Sequence, residues 1–113
     1  MSGPGKPIEE CIKAKLVSDD PDVNRTGFTD AVVLFEKPLW GRLRRWSTNR
    51  GWGLDSSEIK NCVQDTMLVL WRLVRAKKFK QEGSLSSLIS TIAYRRAADV
   101  LRKRNRVALH EDP

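Results

Sequence analysis

The chain has 113 residues, 40% of them hydrophobic and 31% charged. That composition supplies a core and a solvated surface for one domain of ordinary size, and it excludes wholesale disorder. The longest apolar runs, Ala31 to Phe35 and Met67 to Trp71, hold five residues each, far short of the roughly twenty a membrane span needs. There are 21 Lys and Arg against 14 Asp and Glu, a net charge of +7. A field of that sign attracts polyanions, and nucleic acid is the commonest polyanion of the cytoplasm.

The first residues, MSGPGKPIEE, lack the apolar centre of a signal peptide, so a cytoplasmic location is expected. Cys11 and Cys62 are too few for a disulfide framework and have no CxxC partner for zinc. With one histidine, His110, neither a metal site nor a histidine-based catalytic set is expected, and no cofactor is. No phosphate-loop or dinucleotide fingerprint is present, because Gly51 and Gly53 lack the required strand–helix setting.

Residues 1–27 read as a flexible N-terminal stretch. Residues 1–7 hold two glycines and two prolines and are expected to be loose. A short helix over Ile8 to Val17 would place Ile8, Ile12 and Leu16, or Cys11, on one face. Ser18 to Gly27 reads as a polar loop with Asp20-Pro21 as a breaker. Asp19, Asp20 and Asp22 in it read as solvated charge rather than an acid/base pair.

The first long helix is expected over 29–48. Phe28, Val32, Phe35, Leu39, Leu43 and Trp46 recur at helical spacing, and Pro38 predicts a kink or a new start. Asn49 to Leu54 is the turn. Asp55 and Glu58 then form a capping-box pattern that opens a second helix over 56–77, with Ile59, Cys62, Val63, Met67, Leu70, Trp71 and Val74 as its apolar stripe. Cys62 falls on that stripe as a buried thiol. Lys77 to Gly83 is a basic loop around Phe79. Ser84 caps a third helix over 84–105, which buries Leu85, Leu88, Ile89, Ile92, Ala93, Ala97, Val100 and Leu101. Residues 107–113 read as a tail or the start of a linker. Nothing alternates with period two, so the fold class is all-α: a compact bundle of three long helices, with residues 28–106 as the domain.

The charge is uneven. Residues 72–106 hold eleven basic residues against Glu82 and Asp99. A cationic surface beside aromatic platforms suits single-stranded nucleic acid. Phe79 and Tyr94 lie among these cations; Tyr94 reads equally as a boundary residue. Trp40, Trp46 and Trp71 fit the core pattern, whereas Trp52, between two glycines, reads as a partner contact or as a partly buried cover over the bundle end.

The order of these features resembles a known family. Asn61 to Arg72, NCVQDTMLVLWR, resembles the D-L-V-Q-E-V-F-L-R-L-W-R signature of bacterial extracytoplasmic-function (ECF) sigma factors. Gly83-Ser84-Leu85 and then Leu88 to Arg104, LISTIAYRRAADVLRKR, resemble that family's F-R-A-W-L-Y-R-I-A-R-N-L-A-L-D-L-L-R-R-R. Phe35 to Leu43 resembles its Y-x-x-P-x-L-x-R stretch. The resemblance covers residues 28–106 and implies region 2: a non-enzymatic helical domain that holds the β′ clamp helices of core RNA polymerase. Region 2 also melts and reads the −10 promoter element as single-stranded non-template DNA. By position it implies polymerase contacts at Asn61, Gln64 and Asp65. It implies a base pocket in the loop of Lys77, Lys78, Phe79, Lys80 and Ser84, and DNA-backbone contacts at Arg95, Arg96, Arg102, Lys103 and Arg104. An anti-sigma factor is a further implied partner. The family's Trp, Arg and Asn in the third helix are Leu88, Thr91 and Arg95 here. Its region 4, which reads the −35 element, has no room between Arg106 and Pro113, so either an excised domain or a protein that works without region 4 is expected. Two other readings stand beside this one: a helical nucleic-acid-binding protein without polymerase contact, and a helical module whose basic face binds an acidic protein.

Overall fold

A computed structural model describes residues 6–80 and 82–111. They form four helices: α1 (Lys6–Leu16), α2 (Pro21–Arg50), α3 (Ser56–Arg75) and α4 (Leu85–Glu111). No strand occurs among the described residues. The expected three long helices are α2, α3 and α4, and the short N-terminal helix is present as α1. Of the stretch 1–7 expected to be loose, residues 1–5 lie outside the described residues, while Lys6 and Pro7 open α1.

The largest departure from expectation is Ser18 to Gly27. Only residues 17–20 link α1 to α2, and α2 begins at Pro21. Asp20-Pro21 is a start signal here, not a breaker. The Asp20 side chain accepts the Asp22 N–H at 2.9 Å, and proline in the first turn costs no hydrogen bond and pre-sets φ. Gly27 has a packing reason, since a Cβ there would stand 2.6 Å from the Lys15 Cβ of α1. The Asn24 amide donates to the Lys15, Leu16 and Ser18 carbonyls, and Lys15 donates to Asp30 at 2.9 Å. α1 is therefore bound closely along the first turns of α2.

Pro38 does not divide α2. It is exposed, so water can satisfy the carbonyl left without its partner. Gly51, at φ 66°, ends α2 in the left-handed conformation that glycine adopts without strain. α4 continues to Glu111, past the expected end at 105, because no helix breaker precedes Pro113.

The core joins all four helices. Ile12 and Leu16 of α1 meet Ala31, Leu39 and Leu43 of α2. Ile59, Cys62, Val63, Met67, Leu70 and Val74 come from α3, and Leu85, Ile89, Ala93 and Ala97 from α4. The apolar spacing of α3 and α4 thus marks their inner faces. Leu88, Val100 and Leu101 are only half-buried, and Ile8, expected on the inner face of α1, is exposed.

Candidate nucleic-acid and partner interface

The basic loop between α3 and α4 is held more firmly than its sequence suggests. Lys77 N–H donates to the Val74 carbonyl at 3.1 Å and Lys78 N–H to Leu73 at 2.9 Å. This is the double bond of a Schellman ending, with Lys77 itself in the left-handed conformation at φ 58°. The chain then turns inward, and Phe79 enters the core at 8% exposure. The resemblance implies a base-pocket role for Phe79, while in the structure the side chain is buried with the core. Its ring packs there as an apolar plug after the end of α3. Lys77, Lys78 and Lys80 are exposed.

The far side of the loop is fixed by α1. Glu9 Oε1 accepts the Leu85 N–H at 2.5 Å, the Ser86 N–H at 3.3 Å and the Ser84 hydroxyl at 3.2 Å. Ser84 Oγ in turn accepts the Ser87 N–H at 3.2 Å. The first three amides of α4 are thereby satisfied, with a carboxylate on the positive end of the helix. Lys13, only 5% exposed, donates to the Gly83 carbonyl at 2.8 Å and pairs with Glu10 at 2.8 Å. Ser84 is thus the helix cap that its position suggested. Its hydroxyl is already engaged on both sides, so a nucleotide would meet a hydroxyl that is already committed. Glu9 and Lys13 were not singled out from the sequence, because nothing in their neighbourhood marks a partner so distant in the chain.

The cations of α4 divide into two sets. Arg96 and Arg102 both pair with Asp99. Arg104 bonds both carboxylate oxygens of Glu58 and donates to the Trp52 carbonyl at 3.0 Å, so it ties α4 to the start of α3 and the turn before it. Arg95 and Lys103 are exposed, with no ion pair among the described residues. Among the α4 cations whose side chains are described, these two are the most available to a phosphate.

Asn61, Gln64 and Asp65 are all exposed on α3. With Leu68, 44% exposed, they follow the spacing of one helix face and form an outward ridge. A groove opens on each side of it. Gln64 and Leu68 border an apolar groove of about 470 Å³ between α2 and α3, walled by Phe28, Val32, Trp40, Val63, Met67 and Trp71. Asp65 borders a charged groove of about 860 Å³ with Arg96, Asp99, Arg102 and Lys103. The Arg96 Nε is buried there without a hydrogen-bond partner among the described residues. Arg44 lies over the Trp40 ring and Arg75 over Trp71, at 5.6 and 5.8 Å, so cations flank the apolar groove.

A second aromatic site lies where α2 ends against α4. Trp46, Trp52 and Tyr94 are mutually edge-to-face, with centroids 5.4 to 6.4 Å apart. The Arg50 guanidinium lies over both Trp52 and Tyr94, at 5.8 and 5.4 Å. Trp46 is half-buried against the core as its spacing predicts, and Trp52 is half-buried beside it. The sequence singled out Trp52 and Tyr94 separately; that they meet depends on how the turn at 51–55 folds back.

Burial pushes the Cys62 thiol above its ordinary range, with Asp65 and Glu58 acting in the same direction. Such a thiol stays protonated at neutral pH. Among the described residues no cluster of three or more His, Cys, Asp or Glu side chains could hold a metal ion. No helix among them is long and apolar enough to cross a membrane. The chain matches no family model, no curated protein and no solved structure.

Proposed function

We propose that the chain is a sigma factor region 2-like module. It would bind the β′ clamp helices of core RNA polymerase through α3 and a promoter single strand through its cationic surface, in the cytoplasm. The observation that carries this reading is the ridge of Asn61, Gln64, Asp65 and Leu68. Three polar side chains and an exposed leucine stand on one helix between two open grooves. That is the relief a pair of partner helices fits: apolar contact on one side, charge pairing on the other. The resemblance over residues 28–106, which implies polymerase contacts at Asn61, Gln64 and Asp65, supports the reading, and the net charge of +7 suits the DNA side.

Capture by core RNA polymerase tests this reading. Gln64→Ala combined with Asp65→Lys should weaken binding by roughly tenfold or more while the melting temperature stays within a few degrees, since both side chains are exposed. Unchanged affinity in the folded double variant would remove the ridge from the interface. Oligonucleotide binding without polymerase capture would leave a helical nucleic-acid-binding protein as the function.

A further inference from the structure

We propose that Trp52, Tyr94 and Arg50 form a stacking subsite for a nucleobase of a single strand, on the seam between α2 and α4. The proposal deepens the nucleic-acid half of the reading above and rests on it. It does not depend on polymerase contact.

Tyr94 is 40% exposed although it is one of the largest side chains on the α2 side of α4. A tyrosine at such a boundary keeps part of its ring open to a partner. A flat cation, the Arg50 guanidinium, already lies over the faces of both Tyr94 and Trp52. A nucleobase is also flat, and it can take the same place on an aromatic face. The displaced guanidinium keeps its charge, at an exposed helix end, for the phosphate next to the stacked base.

The surroundings favour a polyanion. Arg42, two turns before Arg50 on α2, bonds the Ser90 hydroxyl one turn before Tyr94 on α4, so the seam carries a cation at each end of the aromatic cluster. Arg45 and Arg95, the chain neighbours of Trp46 and Tyr94, are exposed. Of the two acids at the start of α3, Glu58 pairs with Arg104 and Asp55 is committed to the helix cap. An acidic peptide would use these cations but leave the two ring faces idle. A duplex would offer its phosphates but keep its base faces stacked on one another. A single strand uses both the cations and the rings.

The test is a titration of the whole chain with fluorescent oligothymidylate and oligouridylate of about a dozen nucleotides, with inorganic polyphosphate as a base-free polyanion. Tryptophan emission should be quenched by either oligonucleotide and not by polyphosphate. Tyr94→Gln should weaken oligonucleotide binding roughly tenfold without changing the salt dependence, while Tyr94→Phe retains the wild-type affinity. Lys103→Ala should instead flatten the plot of log K against log salt by about 0.7. Equal quenching by polyphosphate, or wild-type affinity in Tyr94→Gln beside a weakened Lys103→Ala, would overturn the stacking subsite and leave the nucleic-acid reading standing. No binding of either oligonucleotide by the wild-type chain would overturn both. The quenching comparison uses the wild-type chain and so decides the question even if Tyr94→Gln does not fold.

Discussion

α3 and α4 start with the same chemistry drawn from different sources. At α3, Asp55 accepts the Glu58 N–H at 2.7 Å and Glu58 accepts the Asp55 N–H at 3.0 Å. Both groups lie within one turn, so the cap forms with the helix itself. At α4 the serine is local, but the carboxylate is Glu9, 76 positions before the amide it holds. Its bond to α4 forms only once α1 has docked. One helix thus specifies its own beginning, while the other adds to its local serine cap a carboxylate, and the set of the basic loop before it, from the far end of the chain.

That difference is open to a direct break. Glu9→Ala should destabilise the domain by about 2 kcal/mol, the upper range for a cap, because one carboxylate oxygen serves two backbone amides and a hydroxyl at a helix N-terminus. A lowered urea midpoint with an unchanged slope checks this. The loss should be local as well: amide exchange should speed up at Leu85 and Ser86 far more than at Ile59. Equal acceleration at both helices would show that α1 supports the whole bundle rather than the start of α4.

The same contrast explains what could be read from the chain. Local patterns were legible. The spacing from Ile59 to Val74 gave the inner face of α3, Asp55 and Glu58 gave its cap, and Ser84 gave that of α4. Asp20-Pro21 is a local signal too, but an ambiguous one, because Asp-Pro marks both turns and helix starts; the packing of Gly27 against Lys15 decides for the helix. The ridge at Asn61, Gln64 and Asp65 was legible because polar residues interrupt an apolar pattern. Contacts between distant segments left no such mark. The Glu9 and Lys13 clamps on the loop, the inward turn of Phe79 and the meeting of Trp52 with Tyr94 all arise from tertiary docking. Charge alone also could not separate the arginines that hold acids, Arg96, Arg102 and Arg104, from Arg95 and Lys103.

A smaller and sharper effect is expected at the self-capped helix. Asp55→Ala should cost about 1 kcal/mol. Because its partner is adjacent, the loss should appear in a double-mutant cycle with Glu58→Ala as a positive coupling. Glu58→Ala alone should cost more than the cap accounts for, since that carboxylate also receives Arg104. An Asp55 and Glu58 pair that is strictly additive would mean that the box is geometry without energy, and the claim that α3 begins on its own account would fail.

The smallest effect has the opposite sign and lies at the other end of α3. Lys77 occupies the left-handed position of the Schellman ending, at φ 58°, where a side chain costs about 1 kcal/mol relative to glycine. Lys77→Gly removes that strain, although glycine also gains freedom in the unfolded chain and returns part of the benefit. The ion pair that is lost, Lys77 with Asp19 at 3.6 Å, joins two exposed side chains and contributes little. The net result should be a gain of about 0.5 kcal/mol, visible as a small rise in the urea midpoint. The same variant sharpens the loop's proposed role. It removes one cation while leaving the backbone bonds to Leu73 and Val74 intact. If Lys77 meets a phosphate, single-strand affinity should fall and its salt dependence flatten by about 0.7 even as stability rises. A more stable variant with unchanged nucleic-acid binding would confine Lys77 to its part in ending the helix, and would shift the DNA path toward Lys103, Arg95 and the α2–α4 seam.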